Sequence, residues 1–139
     1  MRKAYSFGVF VMLCLGIFSL AACGGGSDGD TVKIGLNLEL TGSIPKVGEH
    51  SRVAAEMFAE QMNEAGGIEI GGQTYAIELV SEDNNGTAEG ATGVANKLIT
   101  QDEVLVLVGP NASVAAVPAG EVANNLETPM ISPWSTNPN

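Results

Sequence analysis

An α/β fold with a parallel sheet and helices on both faces is what this sequence predicts, on three observations. Short segments alternate apolar residues at a period of two, the segments between them repeat apolar residues at helical spacing, and the two kinds take turns along the chain. In the first element, "TVKIGLNLEL" places Val32, Ile34, Leu36 and Leu38 on one side and reads as a strand. From Gly48 to Ala65, a stripe of Val53, Ala54, Met57, Phe58, Met62 and Ala65 opposes Glu56, Glu60 and Glu64, which predicts a sheet-packed helix stopped by Gly66-Gly67. A second strand is expected through Tyr75, Ile77 and Leu79, after the turn signal Gly71-Gly72. "TAEGATGVANKLIT" then carries Ala91, Val94, Ala95 and Leu98 on one helical face, where Gly90 and Gly93 call for tertiary packing or the close approach of a neighbour. The apolar run from Val104 suits a strand covered on both faces. A loop, a helix ending near Leu126 and a fourth strand from Pro129 complete the pattern, with Pro118 tolerable only if the regular helix begins close to it.

Ahead of this body, Arg2 and Lys3 precede an uncharged stretch, densest in apolar residues from Phe7 to Leu20, that ends on small residues. A basic start, an apolar middle and a small-residue exit make a secretory signal. A membrane-spanning anchor is the competing reading, and Gly8, Gly16 and the serines weigh against it. "LAAC", Leu20 to Cys23, resembles the lipobox of bacterial lipoproteins, which implies cleavage before Cys23 and a diacylglycerol thioether on its sulfur. The expected division is a signal over 1–22, a flexible Gly/Ser/Asp tether over 23–30 and a folded body over 31–139. A tether of that length spans roughly 16 Å as a random coil. Cys14 would leave with the signal, so the mature chain holds no cysteine pair.

Six Lys and Arg stand against sixteen Asp and Glu, a formal charge of −10. Without a basic cluster, nucleic acid is not an expected partner. The acids are scattered, and no His/Cys cluster has metal-ligand spacing, so neither a metal nor any other cofactor is expected. In a parallel sheet, ligands sit at the carboxyl ends of the strands. That rule points to "TGSIPKVG", "EDNNGT", "GPNAS" and "SPWSTNP". None is a dinucleotide fingerprint or a P-loop. Ser113 is placed at or near the start of a helix, where a side-chain oxygen can cap the helix and free amides attract an anion. Glu82 and Asp83 read as rim acids with solvation or helix-end roles, and His50 as a surface residue.

The ordered set "VKIGLNLELTG", "NEAGGI", "ELVSEDNNGT", "ANKLI", "VLVLVGPNAS" and "ISPWSTNP" resembles the N-terminal lobe of the branched-chain amino-acid (Leu/Ile/Val) binding proteins, type I periplasmic solute-binding proteins, over Thr31 to Asn139. The resemblance implies a non-enzymatic receptor of two hinged lobes that closes on a free amino acid and delivers it to an ABC permease in the membrane. By the same resemblance, Ser113 holds the ligand α-carboxylate, Thr136 bonds the head group and the carbonyl of Trp134 accepts from the α-ammonium. Val47 stands where relatives often place an aromatic pocket residue, and "TGS" with Ser43 replaces "TGP". The sequence stops inside the last motif without a second lobe, so a fragment or truncated product is expected, binding weakly by itself. A sensor built on the same lobe and a membrane-anchored α/β enzyme are the other readings. The enzyme would need a nucleophile and base, and the chain has one His.

Overall fold

The computed structural model describes residues 30–137, so the expected signal, Cys23 and all of the tether but Asp30 lie outside the described residues. Strand β1 (Thr31–Leu38) is followed by helix α1 (Pro45–Glu64), strands β2 (Ile68–Ile70) and β3 (Gln73–Asp83), helix α2 (Ala88–Thr100), strand β4 (Val106–Val108), helix α3 (Ser113–Asn125) and strand β5 (Met130–Ile131). The sheet order is β2-β3-β1-β4-β5. Pairs β3/β1, β1/β4 and β4/β5 run parallel, and only β2 runs antiparallel, against β3.

Two faces of β1 and β3 send side chains to different helices. Val32 and Ile34 of β1, with Tyr75, Ile77 and Leu79 of β3, pack against Ala59 and Met62 of α1. On the opposite face, Val80, Val104 and Leu107 meet Ala91, Ala95 and Leu98 of α2 and Ala115, Ala119 and Ala123 of α3. The alanines are what let α2 and α3 lie close to each other and to the sheet. Gly35 contributes to this layer by absence: a Cβ there would stand 2.8 Å from Leu107 Cδ2. Pro118 lies inside α3, five residues after its start, and removes one intrahelical donor. Ala115, Ala116 and Ala119 around it are buried, so packing holds the helix together across the missing bond.

The stripe assigned to α1 is corrected by the structure. Val53, Met57 and Phe58 are 39%, 56% and 54% exposed, and Ala54 and Ala65 are exposed too. The face turned to the sheet carries Gly48 and Ala59, with Met62 half-buried. Gly48 explains the choice, because a Cβ there would sit 2.1 Å from the carbonyl oxygen of Glu39. Close approach of helix to strand end selects small residues and turns the bulky ones outward. The helix also begins at Pro45, earlier than the apolar pattern indicates, as suits proline's fixed φ in a first turn. Gly90 does meet a close neighbour, its Cβ position lying 2.1 Å from Asn84 O, whereas Gly93 has nothing within 4 Å. Strand β2 is an addition to the expected four strands, paired from Ile68↔Tyr75 to Ile70↔Gln73 across the Gly71-Gly72 turn.

From β1 the chain crosses by α1 to β3 on one side, then by α2 back past β1 to β4 on the other. Strand order reverses at β1, and the crevice outside the carboxyl ends of β1 and β4 is where such sheets bind ligands.

Candidate functional site

The loops at that crevice are 39–44 after β1 and 109–112 after β4, flanked by 84–87 after β3 and 132–137 after β5. Ser113 is the first residue of α3, and the N-cap is Ala112. No side chain of the N-cap residue closes this helix, and the Ser113 hydroxyl is used elsewhere, which corrects its capping role. It accepts from the amides of Thr136 and Asn137, both at 3.2 Å, and lies 2.9 Å from Ser135 Oγ. A hydroxyl has two acceptor sites and one proton. In the contact with Ser135 either hydroxyl can be the donor.

Ser113 and Thr136, taken from distant parts of the sequence, are therefore brought together. Ser132 strengthens the join, donating to Pro110 O at 2.5 Å and accepting from Ser135 N at 3.2 Å. Trp134 lies in the same loop, 57% exposed, with its indole against no core cluster. Val47 is half-buried in the first turn of α1. One helical turn later, Ser51 Oγ donates to Asn111 Oδ1 at 3.0 Å, which links this end of α1 to the loop that precedes Ser113.

Sequence reading passed over Glu39, which lies at the carboxyl end of β1 and is wholly buried. Its carboxylate accepts from Asn111 N at 3.0 and 3.1 Å, from Ala112 N at 3.0 Å and from Asn111 Nδ2 at 2.9 Å. Those amides precede α3, so a side chain from the neighbouring strand supplies the anion that its own N-cap lacks. The one signal available was an acid set into the apolar end of "GLNLEL".

The rim acids have structural duties. Asp83 accepts from the amides of Leu40, Thr41 and Asn85 at 2.9 to 3.1 Å and from Thr41 Oγ1 at 2.7 Å. Desolvation pushes its carboxyl upward, but the Thr41 hydroxyl and the three amides outweigh that and hold it below the ordinary carboxylate range. Because the folded value is depressed, its contribution is complete above the unfolded value of about 3.9 and is lost as pH falls through the folded value. Wild type is thus expected to melt above Asp83→Asn at pH 7, with the gap narrowing as pH falls below the unfolded value of about 3.9; thermal melts at pH 7 and through the acid range check this. Glu82 pairs with Lys97 at 2.6 Å, and Lys97 also reaches Asp102 at 3.0 Å. Behind both, buried Asn84 donates to Asn37 Oδ1 at 2.9 Å, and Asn37 donates to Ala91 O at 2.9 Å.

Chemically, the crevice offers hydroxyls of Ser113, Ser135 and Thr136 together with amides at the start of α3. As its first two residues, Ser113 and Val114 have amides without acceptors inside the helix. Such a set suits a small carboxylate. Among the described residues no cluster of His, Cys, Asp and Glu could hold a metal ion.

The sequence matches the periplasmic binding protein family over residues 31–139. It is 36% identical over 107 residues to an amino acid binding protein of Pseudomonas aeruginosa, covering 77% of this chain and 28% of that protein. It is also 36% identical over 109 residues to the leucine-, isoleucine-, valine-, threonine-, and alanine-binding protein of the same organism, covering 78% and 28%. In structure it resembles the branched-chain amino acid transporter substrate binding protein LivJ of Streptococcus pneumoniae, determined in complex with isoleucine, with a TM-score of 0.73, 35% identity and coverage of 79% and 30%. The chain thus spans under a third of the length of these relatives. Fold and sequence agree that the chain belongs to the periplasmic binding protein family and carries the N-terminal lobe of its branched-chain amino-acid binding members.

Proposed function

We propose that the whole protein is an extracytoplasmic solute-binding lipoprotein that captures a free amino acid, of branched-chain type or a close relative, for uptake through an ABC permease. Cys23 carries the lipid anchor in this reading, residues 1–22 are its signal and 23–30 its tether. The protein is a receptor, with no catalytic step and no cofactor.

The observation that carries the reading is the meeting of Ser113 with the 132–137 loop at the start of α3, in the crevice where strand order reverses. An α-carboxylate entering there accepts a hydrogen bond from the Ser113 hydroxyl, which turns from Ser135 Oγ toward it, and faces the amides of the first turn. A carbonyl of the same loop, that of Trp134, receives the α-ammonium, and Thr136 adds a hydroxyl. Val47 lies toward the aliphatic side chain, where its own aliphatic surface favours apolar contact. The second lobe closes over the ligand and excludes water, which strengthens each polar contact.

Calorimetric titration of the whole protein with isoleucine, leucine and valine tests this. Saturable binding is expected, and Ser113→Ala should weaken it about ten- to a hundredfold, since a hydrogen bond to a charged group contributes about 1.5–3 kcal/mol. No heat with any amino acid would overturn the reading. For the anchor, Cys23→Ser is expected to release the protein from membranes and abolish its labelling by radioactive palmitate.

A further inference from the structure

A carboxylate buried without a countercharge is costly to the fold, and among the described residues Glu39 has none. Its contacts are all with neutral donors: the amides of Asn111 and Ala112 and the side-chain amide of Asn111. A neutral group would fill the same space without that cost. What the charge adds is a bidentate hold on two consecutive amides, and those two belong to the residues immediately before Ser113.

The hold extends in two directions. Asn111 passes it to α1 by accepting from Ser51 Oγ, while Gly48 of the same helix packs on the Glu39 backbone. Beyond Ala112, the Ser113 hydroxyl receives the amides of Thr136 and Asn137 and meets Ser135. One buried side chain thus fixes the peptide planes that aim Ser113, and Ser113 in turn gathers the last loop. Glu39 also occupies the amides of Asn111 and Ala112, which leaves those of Ser113 and Val114 as the donors at the start of α3.

We infer that Glu39 is a positioning residue for ligand capture: it sets the hydroxyl and amides of Ser113 before the ligand arrives, so that a carboxylate meets donors already in place. This rests on the reading of the crevice as an amino-acid site. Preorganised donors cost no reordering on binding, and their value appears in affinity rather than in fold stability.

The test compares wild type with Glu39→Gln, which keeps the size but presents an NH2 group to a donor-lined pocket, and with Glu39→Asp, which keeps the charge but is one methylene short. In the ligand-free protein, amide exchange at Asn111 and Ala112 is expected to accelerate about tenfold or more in both variants, with displaced NMR resonances for Ser113, Ser135 and Thr136. In the whole protein, the isoleucine dissociation constant is expected to rise about tenfold, measured well below each melting midpoint. If either folded variant leaves the Ser113, Ser135 and Thr136 resonances in place, Glu39 is only a buried structural acid and the inference is overturned. Glu39→Asp carries the test should Glu39→Gln not fold. A wild type that ignores isoleucine while the resonances still move would overturn the ligand reading and leave the control of Ser113 by Glu39 standing.

Discussion

Gly109→Ala is expected to destabilise the protein by about 2–5 kcal/mol and to disorder the crevice at the same time. Gly109 adopts φ +92°, a conformation that costs an L residue on the order of 1–2 kcal/mol. A Cβ there would also stand 2.2 Å from the backbone oxygen of Asn37 and 3.0 Å from Leu38 Cδ2, an overlap that forces β4 away from β1 and adds about 1–3 kcal/mol. The displacement does not stay local. Asn37 is the buried hub that joins Asn84 to the α2 backbone, and Gly109 N donates to Ile131 O at 2.8 Å. Pro110 and Asn111 follow directly, so the amides gripped by Glu39 move with the strand end. Urea unfolding of wild type and variant measures the stability change; a shift below about 0.5 kcal/mol would mean that the backbone relaxes freely and the strand ends are not the rigid frame described.

Leu107→Ala carries a comparable cost, about 2–5 kcal/mol, through a different mechanism. Leu107 is fully buried at the centre of the layer between the sheet and helices α2 and α3. On β1 it is paired in register with Gly35, which has no side chain to move into the space it leaves, and its partner on β5 is Met130, packed at the edge of the same layer. The neighbouring alanines of α2 and α3 are too small to fill it. Leu105, two residues earlier and 56% exposed, is the control: Leu105→Ala is expected to stay within about 0.5 kcal/mol of wild type. Equal effects of the two changes in urea melts would show that the core is not where the fold places it.

The alternation of Tyr75, Ile77 and Leu79 and the helical spacing of Ala91, Ala95 and Leu98 announced β3 and α2, because the apolar residues of those elements turn inward as a set, and the close approach at Gly90 lies on the same side of α2. In α1 the same logic misled. Its inward face is set by backbone contact at Gly48, and a glycine leaves no mark on a hydrophobic pattern, so Met57 and Phe58 read as core and are surface. Strand β2 was too short to show a period, being three residues defined by pairing across a turn.

At the crevice, Ser113, Trp134 and Thr136 were legible as members of motifs, and the structure adds that Ser113 and the 132–137 loop touch. Glu39 was not legible. Its meaning depends on two amides 72 and 73 residues away, and amides are present at nearly every position of a sequence. Asp83 was read as a rim acid, and its work in holding Leu40, Thr41 and Asn85 emerges only when β1 and β3 are laid side by side.

The most direct measurement is a crystal structure of the whole protein with isoleucine. An isoleucine carboxylate oxygen is expected about 2.5–3.0 Å from Ser113 Oγ, at the start of α3 and outside the carboxyl ends of β1 and β4. A carboxylate bound away from Ser113, with the Ser113–Ser135 contact intact beneath the ligand, would contradict it.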